Sequence, residues 1–132
     1  MMSGGDSAPE LARVVLGGLF DGSPDLEGEF RSVWPGVDFM FLYGFNDRGE
    51  PLSQEGPAAA LIRYAPGTSV PVHLHRGVEH IIVLAGAQAD ELAVYPRGSL
   101  VINPPGTRHR VVSEQGCLVL AIWTKPVEVL ED

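Results

Sequence analysis

From residue 37 to 124 the chain is a succession of short apolar runs, each closed by Gly, Pro or a polar turn. The runs are 37–45, 58–65, 70–75, 79–84, 91–95, 99–102, 108–112 and 117–124. Breaks fall at Pro66-Gly67, Gly77, Gly86, Pro96-Arg97-Gly98, Pro104-Pro105-Gly106 and Gly116. Regular short strands between tight turns make an all-β sandwich or barrel. Gly (16) and Pro (11) are too frequent for a helical bundle. With 132 residues, 45% of them hydrophobic, the chain can bury one core and has no room for two domains. No apolar run approaches the ~20 residues that span a bilayer.

Outside the runs the pattern weakens. Residues 1–9 are small and polar and are expected to be disordered. Leu11, Val14, Val15 and Leu19 stand at helical spacing, which predicts a short helix over 10–20, against the opposition of Gly17 and Gly18. Residues 21–29 read as an acidic loop and 46–57 as a polar turn region. The expected organisation is an N-terminal extension (1–33, partly disordered or packed on the barrel), a barrel domain (34–126) and a tail (127–132).

The 9 basic residues are outnumbered by 17 acidic ones, a net charge of −8. A phosphate backbone is repelled by such a surface, so the sequence argues against nucleic-acid binding. Cys117 is the single cysteine, which excludes an internal disulfide and fits a reducing compartment. The first residues, MMSGGDSAPE, have neither the basic region nor the apolar stretch of a secretory signal. The expectation is a cytoplasmic protein with no membrane partner.

Chemistry concentrates in the histidines. The chain has four: His73, His75, His80 and His109. On a strand, residues two apart share a face, so His73 and His75 project together. Glu79 opens the next run, and a tight turn at Arg76-Gly77-Val78 would return it beside the pair. His109 would come from a neighbouring strand. Three imidazoles and one carboxylate suit a divalent transition metal, Fe(II), Zn, Mn or Ni, one per chain. An octahedral ion would keep two open positions on four protein ligands, whereas a tetrahedral zinc would be almost closed. The bland alternative is a set of structural histidines, because H-x-H alone is a weak signal. His80 neighbours Glu79 and should face away from the site.

These residues resemble the cupin superfamily. Its first motif, G-x5-H-x-H-x3-E-x6-G, is matched at Gly67, His73, His75, Glu79 and Gly86. Its second, G-x5-P-x-G-x2-H-x3-N, is matched at Gly98, Pro104, Gly106 and His109, with Ser113 replacing the terminal Asn. That Asn is not a metal ligand, so the departure leaves the site intact. Residues 95–117, Asp90-Glu91 and Trp34-Pro35-Gly36-Val37 are similar to the ChrR-like cupins, the C-terminal fold of ChrR-type anti-sigma factors. The resemblance covers about 34–123. It implies a double-stranded β-helix, a cupin jelly roll, with a metal held inside by His73, His75, Glu79 and His109.

In-out alternation puts Ile81 and Val83 with Glu79 on the inner face, and Val111 with His109. His80, Ile82 and Leu84 then point outward, and 117–123 is apolar on both faces. Either residues 10–45 or a second copy must cover that outer face; a homodimer is expected. Arg108 and Arg110 flank His109 and should point to solvent. Arg63 and Arg76 are candidates to pair with a carboxylate-bearing substrate. Tyr43, Tyr64 and Tyr95 could line a pocket or simply fill core. Cys117 reads as a buried small residue.

Relatives of this family group include dioxygenases that cleave a carbon–carbon bond in a diketone or an aromatic ketone. The first expectation is therefore a small metalloenzyme of that kind. The alternatives are a sensor of the ChrR type, or a barrel that binds a small molecule around structural zinc without turnover. Residues 1–33 contain no His or Cys, which argues against a zinc-binding sigma-factor-binding domain there.

Overall fold

The computed structural model describes residues 13–21 and 30–130. It contains strands β1 (Arg31–Trp34), β2 (Val37–Tyr43), β3 (Ala58–Tyr64), β4 (Thr68–Leu74), β5 (Glu79–Ala89), β6 (Val94–Pro96), β7 (Leu100–Asn103), β8 (Arg108–Ser113), β9 (Cys117–Trp123) and β10 (Glu128–Val129). There is no helix among the described residues. Every pairing is antiparallel, in the order β1-β2-β3-β9-β5-β8-β4-β10, with β6 and β7 also against β5. This is the all-β architecture that the spacing of the runs predicts, curled as the resemblance implies. The sheet reaches past both expected limits, because β1 begins at Arg31 and Glu128–Val129 pairs with Leu74 and His73.

β5 makes the sheet curl. Its first half lies between β9 and β7, with Glu79 opposite both Trp123 and Asn103. Its last residues leave β7 for β6, and Ala89 meets Val112 of β8. The bend falls at Gly86, whose φ is 70°. A Cβ there would collide with the Gly116 carbonyl oxygen, so only glycine lets the two backbones pass. A register shift between Val83 and Ala85 adds one residue at the same place.

Two apolar layers result. The inner one joins Val37, Phe39, Ile62, Val83, Val119 and Trp123 inside the barrel. The outer one joins Met40, Leu61, Leu84 and Leu118, with Leu16, Leu19 and Phe30 packed on it. β3 and β9 separate the two layers, which is why they are apolar on both faces. The N-terminal segment thus supplies cover on that face from within one chain. Leu100 and Ile102 of β7, on the same side, stay exposed.

The helix expected over 10–20 does not form in its described part. Residues 13–18 have no regular structure, and the Asp21 N–H donates to the Gly18 carbonyl (3.1 Å) in a turn with Gly18 at φ 70°. The glycine pair breaks the period, and packing on the outer layer holds Leu16 and Leu19 instead. The expectations for 1–9 and 10–12, and those for 22–29, lie outside the described residues. No described helix is long and apolar enough to cross a membrane.

Candidate metal centre

His73 and His75 stand at the end of β4 and just beyond it, Glu79 opens β5, and His109 lies on β8 directly opposite His73. All four are buried, and one potential ligand atom from each falls within 4.8 Å of the others. His73 Nε2 is 3.1 Å from His109 Nε2, and Glu79 Oε1 is 3.0 Å from His75 Nε2 and 3.8 Å from His109 Nε2. The three rings meet edge to face, with centroids 4.7–5.2 Å apart.

The far nitrogens fix the tautomers. His73 Nδ1–H donates to the Pro71 carbonyl (2.9 Å), which can only accept. His109 Nδ1–H donates to Asp90 Oδ2 (3.2 Å). His75 Nδ1–H donates to Thr107 Oγ1 (2.9 Å), whose own proton goes to the Pro104 carbonyl (2.6 Å). Each Nε2 of a neutral ring therefore turns a lone pair toward its neighbours and toward a carboxylate oxygen. His75 Nε2 is buried without a hydrogen-bond partner despite its closeness to Glu79. Lone pairs converging on one point repel each other unless a cation sits among them. The donor set fits a divalent transition metal, and the Nδ1 partners are those that orient metal-bound imidazoles.

Glu79 is held just as firmly. Its Oε1 accepts from Asn103 Nδ2 (3.0 Å) and its Oε2 from Trp123 Nε1 (2.6 Å). Burial raises its pKa, but contact with His75, the neighbouring His73 and the indole donor together hold it down to about 2. Burial also lowers the pKa of His73, favouring the neutral ring that a metal requires. Asp90 is tied by four donors: the N–H groups of Leu92 and Ala93, the Tyr95 hydroxyl and His109. Burial pushes against them, and they keep its carboxyl below the ordinary range.

His73 and Glu79 also line a cavity of about 230 Å³ inside the barrel. Its walls are aromatic: Trp34, Phe39, Phe41, Phe45 and Trp123 follow one another with ring centroids 4.6–6.1 Å apart. Tyr64 lines it too, and burial drives its hydroxyl pKa far up. Tyr43 does not line it. Arg63 and Arg76, the candidates to pair with a substrate carboxylate, are not among the residues that line it. Arg63 sits on the outer face, 3.1 Å from Asp38 Oδ2 and stacked 4.0 Å from the Phe30 ring, because Ile62 and Tyr64 on either side of it point inward. Arg76 lies in the β4–β5 loop and donates to Gln54 Oε1 (2.8 Å). His80 pairs with Ile102 and Ile122 on the outer face, and Arg108 and Arg110 are exposed, as alternation predicts. Cys117 is buried, its thiol pushed up to about 11 by burial. Ser113, standing where the second motif has Asn, donates to the Ala87 carbonyl (2.6 Å) and ties β8 to β5.

Sequence reading missed Asp90, Asn103, Thr107 and Trp123 as partners of the ligands, and Gln88 as a cavity residue. Trp123 carried a signal: a buried indole N–H needs an acceptor. Gln88 was hidden by the extra residue at 83–85, which inverts the in-out parity of the second half of β5.

Residues 27–127 match the family described as ChrR Cupin-like domain. In Cereibacter sphaeroides, the provisionally assigned dimethylsulfoniopropionate lyase DddL is 34% identical over 84 residues, covering 61% of this chain and 36% of that protein. The anti-sigma-E factor ChrR of the same organism is 37% identical over 75 residues, covering 54% and 35%. The chain thus spans about a third of the length of these curated relatives. The crystal structure of Rhodobacter sphaeroides SigE in complex with the anti-sigma ChrR superposes with a TM-score of 0.63 at 27% identity, over 79% of this chain and 54% of that one. An acetylacetone dioxygenase from Acinetobacter johnsonii shares the fold at 13% identity, with a TM-score of 0.63 over 100% of this chain and 85% of that one.

Proposed function

The chain belongs to the ChrR cupin-like family, and on that premise we propose that it is a metal-dependent enzyme acting on a small, mainly apolar oxygen compound. The observation that carries this reading is the convergence of three Nε2 lone pairs and Glu79 at the edge of an aromatic cavity. A divalent transition metal held by His73, His75, Glu79 and His109 would polarise substrate oxygens as a Lewis acid and, if iron, support oxygen chemistry.

The protein's own residues supply the rest. The aromatic walls exclude water and position an apolar body. His73 and Glu79 border both the cluster and the cavity, so a ligand reaches the centre from that side. Among the described residues no Lys or Arg lines the cavity, which favours a neutral substrate. A diketone or an aromatic ketone meets these demands, and the reaction class we assign is dioxygenase-like cleavage of such a compound.

A second reading is supported by the identity to ChrR: the same site, closed by zinc, would serve a ligand-sensing module without turnover. Metal analysis of protein prepared without chelators, followed by oxygen uptake with acetylacetone and with acetophenone-type ketones, separates the two. Near one iron, manganese or nickel per chain with ketone-dependent oxygen uptake supports the enzyme. One zinc per chain and no turnover supports the sensor. Protein that takes up no metal, even on anaerobic reconstitution, removes both.

A further inference from the structure

Among the described residues, besides His73 and Glu79 and the indoles of Trp34 and Trp123, two polar side chains line the cavity, Tyr64 and Gln88. Both are 4% exposed. Gln88 Nε2 donates to the Tyr64 hydroxyl across 3.5 Å, the outer limit of a hydrogen bond. Among the described residues neither side chain has another hydrogen bond. A carboxamide offers two donors and a carbonyl acceptor, and a phenol that accepts one bond still has a proton to give. Most of that capacity has no protein partner, yet neither residue holds a fully enclosed unpartnered atom, so the remaining donors and acceptor open onto an otherwise mainly apolar cavity.

We infer that Tyr64 and Gln88 form a specificity site that hydrogen-bonds an oxygen of a neutral ligand, independently of the metal. This deepens the proposed function, on which it rests, by naming what reads the ligand's polar group. The Tyr64 O–H and Gln88 N–H donate to a ketone or hydroxyl oxygen, and Gln88 Oε1 can accept from a hydroxyl. A hydrocarbon of the same shape leaves these groups unpaired. A carboxylate is disfavoured because Glu79 lines the same cavity and no Lys or Arg does. The volume, about 230 Å³, is below the ~300–1,000 Å³ of sites for drug-sized ligands and suits a single small ring or short chain.

The two tryptophans of the chain both line the cavity, so their indole N–H resonances report its filling directly. The test titrates the full chain, zinc-loaded and chelator-stripped, with acetophenone, ethylbenzene and benzoate, reading those two resonances. In the stripped protein acetophenone should bind about three- to tenfold more tightly than ethylbenzene, and benzoate most weakly. Gln88→Leu and Tyr64→Phe should bring the first ratio to within about twofold of unity, with ethylbenzene affinity unchanged. Melting curves check that both variants fold; if Gln88→Leu does not, the near-isosteric Tyr64→Phe decides alone. Equal binding of acetophenone and ethylbenzene, or a ratio that survives in the variants, overturns the inference. No resonance shift with any probe overturns it too, while a full metal complement would leave the proposed centre standing. The expected ratios in a protein that takes up no metal would uphold the inference and remove the proposed function.

Discussion

The two faces of the same strands treat their charged and polar side chains in opposite ways. Inside the barrel, His73, His75, Glu79 and His109 are buried, and each has at least one dedicated partner on its far side. Outside, Arg63 is exposed with one carboxylate partner and one aromatic neighbour, and Arg108 and Arg110 reach solvent. Charge is expensive in a low-dielectric interior unless every atom is matched, whereas on the surface water and salt screen it. The inner polar groups are therefore held in one arrangement. Interactions of the outer ones are worth little. Inner positions should accordingly be sensitive to substitution in their metal affinity, and outer ones should not.

The severest way to break the contrast is His75→Ala. It removes one of four ligand groups, and metal affinity should fall by more than the ~10–100-fold typical of losing a ligand's outer partner. The barrel should still fold, since its apolar layers are untouched. Metal content and a melting curve measure the two halves of that statement; a variant with a full metal complement would show that His75 is not a ligand. Asp90→Ala comes next. It frees His109 Nδ1 and three other donors, and metal affinity should drop ~10–100-fold in competition with a chelating dye. Unchanged affinity would reduce Asp90 to a loop brace.

Acidification should act less steeply and in a fixed direction. His73 has its pKa lowered by burial, so the unfolded chain binds its proton first as pH falls below about 6.5. The stability it confers is full above that value and is lost as pH falls through the folded pKa. Glu79, at about 2 in the folded protein against 4.5, contributes above 4.5 and loses that contribution between 4.5 and about 2. Metal-free protein should therefore melt at progressively lower temperature from pH 7 downward. A flat profile between pH 7 and 3 would contradict both assignments. Smallest of all, Arg63→Ala should leave metal and ketone binding unchanged and cost less than ~1 kcal/mol of stability. A change in ligand affinity would bring Arg63 back to the cavity and undo the distinction between the faces.

Much of the architecture is legible in the sequence, and the reason is period. Where a strand is regular, parity sorts residues between faces. Glu79, Ile81 and Val83 went inside and His80 outside as alternation requires. Parity fails where a residue is inserted. Leu84 lies in the outer layer as alternation requires, but the shift between Val83 and Ala85 turns Gln88 into the cavity, and a shift between Val70 and His73 places both on the inner side although they are three apart. Pro71 lies within the second irregularity, where a strand proline is at home, while residues 83–85 contain no Gly or Pro to mark the first. The helix expected over 10–20 shows the opposite failure, a spacing that looked helical but served packing against the outer layer.

By itself, then, the sequence determined the β architecture, the turn positions and the identity of the four clustered residues. Most of this follows from local rules: strand period, the left-handed freedom of glycine, and the fixed spacing of His73, His75 and Glu79; His109 joins them through the resemblance of the second motif. Only the tertiary structure decided what surrounds them. It brought Asp90, Thr107, Asn103 and Trp123 behind the ligands, turned Arg63 out and Gln88 in, and laid Leu16 and Leu19 across the outer face. Those relations depend on which strands become neighbours and in what register, and that is set by the curl of the whole sheet rather than by any segment of the chain.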